Sequence, residues 1–112
     1  MNLSVVIPTY NRSAILRRCL QSLSTQHMDK GQYEVIVVDD GSDDDTQQMV
    51  QQISKNAPYD LRYFFQKNQG QGVARNFGVE QARGDIVLFL GDDVFPDPDC
   101  LKEHLRVHHL NP

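Results

Sequence analysis

Short apolar runs alternate with amphipathic stretches along this chain. Leu3 to Ile7, Glu34 to Asp39, Leu61 to Phe65 and Ile86 to Leu90 are dense in Val, Ile, Leu and Phe and carry little polar alternation, the pattern of strands buried on both faces of a parallel sheet. Between them, apolar residues recur at helical spacing: Ile15, Leu16, Cys19, Leu20 and Leu23; then Met49, Val50 and Ile53; then Ala74, Phe77 and Ala82; then Leu101 and Leu105. Local punctuation predicts where these elements start and stop. Pro8 is expected to end the first strand, and Asn11 or Ser13 to cap a helix running to about Gln26. Ser42 with Asp45 resembles a capping signal for the second helix. Gly84 is expected to end the third helix, and Asp97-Pro98 to open the fourth.

Strand–helix alternation implies right-handed crossovers and a parallel sheet. If the chain winds outward over three strands and then returns, the product is an α/β, Rossmann-like open sheet of about four parallel strands in the order 3-2-1-4, flanked by helices. The loops at residues 8–12, 39–42 and 91–93 then meet at the carboxyl ends of the strands, where such sheets bind ligands.

Composition adds limits. The chain has 112 residues, 39% hydrophobic and 23% charged, enough for one small folded domain. Its net charge of -4 gives no support to a nucleic-acid partner. Cys19 and Cys100 have neither zinc spacing nor a disulfide framework, no apolar run approaches a membrane span, and no signal peptide is visible. A cytoplasmic location is expected, with attachment to the inner face of a membrane through regions outside this chain as an extension of that expectation.

The candidate chemistry lies in two acidic doublets, Asp39-Asp40 and Asp92-Asp93, each directly behind a strand. Two carboxylate pairs at one sheet edge repel unless something cationic or hydrogen-donating sits between them. Hard carboxylate oxygens suit Mg²⁺ or Mn²⁺, and magnesium takes only one or two protein carboxylates beside water and phosphate oxygens. An ionised Asp39 only accepts hydrogen bonds, so it can meet the single imide N–H of a uracil ring, while Thr9 and Arg12 or Arg75 address carbonyl or phosphate oxygens. Asp40 is assigned the more structural role, and Asp43 to Asp45 a solvated first helical turn. The glycines from Gly70 to Gly78 miss dinucleotide-fold spacing. His104 and His108 share a helix face but form no metal motif, and the tyrosines and phenylalanines of the third strand read as packing.

Taken together, Ser4–Arg12, Glu34–Ser42, Asn68-Gln69-Gly70, Ala74–Gly78, Ala82–Asp85 and Phe89–Asp93 closely resemble, in order, the donor-binding half of family 2 glycosyltransferases with the GT-A fold. The resemblance implies a nucleotide-sugar donor, usually a UDP-sugar, a divalent cation (Mg²⁺ or Mn²⁺), and inverting transfer to an acceptor hydroxyl on a glycan, lipid or protein. It implies that Pro8, Thr9, Tyr10 and Arg12 line the nucleotide pocket. Asp39 would meet the base, Arg75 the nucleotide, Asp92 the ribose or sugar, and Asp93 the metal. Gly91 stands where the family's Asp-x-Asp motif has its first carboxylate. The resemblance further implies a single donor-binding domain over residues 1–112, cut before the acceptor-binding half, with the general base beyond Pro112. Two other readings stand beside it: a receiver-like Mg²⁺-binding signalling module, and a non-catalytic fragment that self-associates through an exposed fourth strand.

Overall fold

A computed structural model describes residues 1–110, with the side chains of 109 and 110 outside the description. Four strands, β1 (Leu3–Thr9), β2 (Tyr33–Asp39), β3 (Asp60–Phe65) and β4 (Ile86–Phe89), form one parallel sheet in the order β3-β2-β1-β4. The helices are α1 (Ser13–Ser24), α2 (Thr46–Ser54), α3 (Gln71–Gln81) and α4 (Cys100–Leu110). The expected topology is therefore observed, with β4 returning to the far side of β1.

Both faces of the sheet are covered, which is why the central strands lack polar alternation. On one face Leu3, Val5, Ile7, Val35 and Val37 pack with Leu16, Leu20 and Leu23 of α1, Met49 and Val50 of α2, and Leu101 of α4. On the other, Val6, Ile36 and Val38 pack with Ala74 and Phe77 of α3. Phe64 meets Phe77 edge-on, with centroids 5.2 Å apart. Glu34 interrupts the apolar rows. Glu34 is fully buried, and its carboxylate accepts from Ser4 Oγ, from the Arg62 guanidinium and from the Arg83 backbone N–H. Burial opposes ionisation of Glu34, but these donors outweigh it and hold its carboxyl below the usual range.

Several local expectations differ from the structure. Pro8 does not end β1. It pairs with Val38 inside the strand, and Thr9 pairs with Asp39. Even-numbered β1 residues turn their backbone groups toward β4, as the bond from Leu90 N to Val6 O shows. The β1–β4 pairing stops at Val6–Phe89, so the nitrogen of Pro8 lacks a hydrogen where no ladder bond is required. Ser42 does not cap α2; its hydroxyl accepts from the Asn11 backbone N–H. Asp44 takes that place, accepting from Thr46 N and also from Ser13 N at the start of α1. Neither Asn11 nor Ser13 caps α1 with its side chain. α4 begins at Cys100, two residues past the expected start, and Asp97 forms the turn that leads into it: its carboxylate accepts from Asp99 N and its carbonyl from Cys100 N. Gly84 is no left-handed helix cap either. It lies against β1, donating its N–H to Ser4 Oγ, and a Cβ there would stand 2.7 Å from the Leu3 carbonyl carbon.

Candidate functional site

Three loops converge at the carboxyl ends of β1, β2 and β4. The β1–α1 loop brings Thr9 and Arg12, the β2–α2 loop Asp39 to Ser42, and the segment after β4 brings Gly91, Asp92 and Asp93. Asn11 joins the first two. It adopts φ 51°, a left-handed conformation that asparagine tolerates, and its Oδ1 accepts from Asp43 N (2.9 Å) and Asp44 N (3.3 Å). Its own N–H reaches Ser42 Oγ at 2.8 Å. The sequence reading gave Asn11 no such role, and only its pairing of a turn position with a short amide side chain hinted at one.

Thr9 and Arg12, expected to address ligand oxygens, instead supply donors to the second acidic doublet. Thr9 Oγ1 donates to Asp92 Oδ2 (2.9 Å), and Arg12 Nη1 donates to Asp92 Oδ1 (3.1 Å). Arg12 Nη1 also stands 3.8 Å from Asp93 Oδ2. Asp92 is buried, whereas the Asp93 side chain is 64% exposed. The doublet is therefore split: one carboxylate is held by protein donors, and its neighbour is presented outward. Beneath the loop, Cys19 of α1 places its thiol 3.9 Å from the Gly91 carbonyl. Burial, with Asp92 and Asp93 nearby, pushes that thiol up to about 12, so it packs as an inert group.

A cavity of about 250 Å³ opens beside this doublet, lined by Pro8, Arg12, Gln71, Arg75, Phe89 and the Gly91–Asp93 loop. Arg75 thus faces the acidic pair from α3, as its place on the first helical turns suggests. Gln71, which the sequence reading did not single out, shares that helix end. Asp40 positions it. Its carboxylate accepts from Gln66 Nε2, Gln69 N and Gly70 N, and so moors the segment leading into α3. Gly70 takes φ 99° at this entry, a conformation that glycine adopts without strain. Burial raises the Asp40 carboxyl, but the three donors prevail and hold it below its ordinary value. The structural role read for Asp40 agrees with this geometry.

Asp39 lies next to Thr9 in the β1–β2 register, on the face of the sheet opposite α3, and does not line the cavity. Its Oδ1 accepts from Ser42 N (2.9 Å) and its Oδ2 from the Tyr63 hydroxyl (2.5 Å). Tyr10 is 45% exposed and likewise stands outside the cavity lining. The structure thus brings Pro8, Arg12, Arg75, Asp92 and Asp93 together at one cavity, ties Thr9 to them through Asp92, and leaves Asp39 and Tyr10 outside its lining. Among the described residues, no group of three His, Cys, Asp or Glu side chains could hold a metal ion on its own, and no helix is long and apolar enough to cross a membrane.

Comparison with known proteins agrees with this architecture. A glycosyltransferase of Nostoc sp., itself uncharacterised, is 41% identical over 99% of this chain and 37% of its own length. The crystal structure of Staphylococcus aureus TarS 1-349 in complex with UDP-GlcNAc superposes with a TM-score of 0.88 at 36% identity, covering 97% of this chain and 32% of that one. A mannosyltransferase from Pyrobaculum calidifontis in complex with GDP-Man and Mn²⁺ superposes at 0.83 with 27% identity, covering 89% of this chain and 30% of that one. This chain therefore spans about a third of the length of these relatives. The family model for glycosyl transferase family 2 matches residues 4–112, and this chain, with its GT-A sheet, belongs to that family.

Proposed function

We propose that this chain is the donor-binding part of a metal-dependent glycosyltransferase that transfers a sugar from a UDP-sugar to an acceptor hydroxyl with inversion. The single observation that supports this reading most is the split doublet: a buried Asp92 held by Thr9 and Arg12, and an outward Asp93 facing the same cavity as Arg75. The donor set fits a divalent cation such as Mg²⁺ or Mn²⁺. Asp93 offers a hard, accessible carboxylate, and the shortage of further protein ligands matches ions that complete their shell with phosphate oxygens and water. When bound, the cation supplies positive charge against the diphosphate that leaves.

The remaining roles fall to the chain's own groups. The Arg75 guanidinium is suited to phosphate oxygens in the bidentate manner of arginine. Asp92, with one donor on each oxygen, keeps lone pairs for a ribose or sugar hydroxyl. A cavity of about 250 Å³ falls below the usual size of a complete small-molecule site, so it suits the diphosphate end of the donor. No residue of this chain is assigned the acceptor proton.

Calorimetric titration of the chain with UDP, with and without Mn²⁺, tests the proposal. Binding that strengthens at least tenfold with Mn²⁺ is expected; no heat at millimolar UDP in the presence of Mn²⁺ would overturn it.

A further inference from the structure

Arg12 joins the start of α1 to the acidic doublet. Its backbone is fixed there, with its carbonyl accepting from Leu16 N at 2.8 Å. Its side chain, 50% exposed, reaches the doublet with one nitrogen: Nη1 lies 3.1 Å from Asp92 Oδ1 and 3.8 Å from Asp93 Oδ2. The first contact is a hydrogen bond, whereas the second is too long for one and holds by charge alone. Nε and Nη2 meet no acceptor among the described residues. The two carboxylates are also unequally secured apart from Arg12. Thr9 Oγ1 donates to Asp92, while the exposed Asp93 faces solvent and the cavity.

We infer that Arg12 is a resident counter-cation for Asp93: it balances that carboxylate in the empty site and opposes a lone divalent cation there, so that the cation is taken together with a diphosphate and not by itself. This rests on the reading of Asp93 as the metal carboxylate. The order follows from charge. Asp93 accepts a lone cation only against the guanidinium already beside it, and like charges repel. A diphosphate removes that conflict, because Arg12 then satisfies phosphate oxygens through Nε and Nη2, an edge suited to bidentate contact. Binding free energies are linked. A group that weakens the cation alone and favours it beside a diphosphate therefore raises the mutual gain of both ligands. Asp92 keeps its bond from Thr9 throughout, so the loop stays fastened to β1 while Arg12 turns.

The test is Arg12→Gln in the full 112-residue chain, after thermal melting has verified the fold. Mn²⁺ binding without nucleotide is read by electron paramagnetic resonance, and UDP binding at saturating Mn²⁺ by calorimetry. The variant is expected to bind Mn²⁺ alone about threefold tighter or more, and to bind UDP about tenfold more weakly, so that the gain each ligand gives the other shrinks. Arg12→Lys, which keeps the charge, is expected to hold Mn²⁺ near the wild-type affinity. Arg83→Gln controls for net charge, because its exposed side chain lies beside Asp60 at the amino end of β3, and it is expected to leave Mn²⁺ binding unchanged. Mn²⁺ affinity of Arg12→Gln equal to or below wild type would overturn the inference, as would an equal gain in Arg83→Gln or Arg12→Lys. The donor-binding proposal stands in those cases as long as the wild type binds UDP with Mn²⁺; failure of that binding would remove both. Should Arg12→Gln not fold, the wild type is titrated with Mg²⁺ alone and the Arg12 Nε–H resonance is followed: displacement of that signal supports the inference, and an unmoved signal opposes it.

Discussion

Thr9 Oγ1 donates to Asp92 Oδ2 at 2.9 Å, joining residues 83 positions apart at the carboxyl ends of β1 and β4. Both groups are buried, so this bond fastens the acidic loop to the centre of the sheet. Thr9→Val keeps the shape and removes the donor. It is expected to cost about 1–3 kcal/mol of stability, because the Asp92 carboxylate keeps its burial and loses a partner. Urea unfolding measures this, and UDP affinity with Mn²⁺ should fall in parallel.

Asp93→Asn separates binding from folding. The side chain is 64% exposed and its ion-pair contact with Arg12 is 3.8 Å long, so stability should change by no more than about 0.5 kcal/mol. The Mn²⁺-dependent gain in UDP affinity should be lost. A variant that keeps that gain would move the cation elsewhere.

Asp40 predicts an acid-sensitive mooring for α3. Its carboxyl is held below the ordinary value in the folded chain, so its contribution is fully present above the unfolded pKa and is lost as pH falls through the folded one. Amide exchange at Gln69 and Gly70 should therefore accelerate as pH drops below about 4, after correction for intrinsic rates. Asp40→Asn should abolish that pH dependence and cost about 1–3 kcal/mol, since one acceptor oxygen becomes a donor facing backbone N–H groups. Glu34 titrates in the same direction, so part of the acid dependence of global stability should survive this substitution.

Two glycines should respond oppositely to alanine. At Gly84 the new Cβ would meet β1 backbone at 2.7 Å, which cannot yield as a side chain can, and a cost of about 1–3 kcal/mol is expected. At Gly72, inside α3, nothing lies within 4 Å, and Gly72→Ala should stabilise by roughly 0.5–1 kcal/mol. Thermal melts of the two variants give the comparison.

The sheet order was legible because the apolar runs report burial on two faces, and strand–helix alternation leaves few topologies. The meeting of the loops carrying Arg12 and Asp92-Asp93 followed from that order, and the approach of Arg75 from its place near the start of α3. Helix starts were less legible. Ser42 looks like a cap but spends its oxygen on Asn11 N, and Asp44 serves two helix starts at once, one of them 31 residues away at Ser13. Tyr63 was read as packing because its partner, Asp39, depends on the β2–β3 register, which periodicity does not reveal. Glu34 looked like the edge of an apolar run and lies fully buried, since its donors come from β1, β3 and the segment after α3. In each case the chemistry was present in the sequence, but the pairing was long-range.

The central claim is that the loops carrying Thr9, Arg12, Asp92 and Asp93, together with α3, cradle a divalent cation and a nucleoside diphosphate. Paramagnetic broadening of backbone amide signals by Mn²⁺ in the presence of UDP tests it most directly. The account predicts broadening centred on Asp92 and Asp93 and extending to Arg12 and Arg75, with the amino ends of the strands at Leu3 and Glu34 spared. Broadening centred instead on the exposed acids Asp43 to Asp45, or on His27 and Asp99, would contradict it.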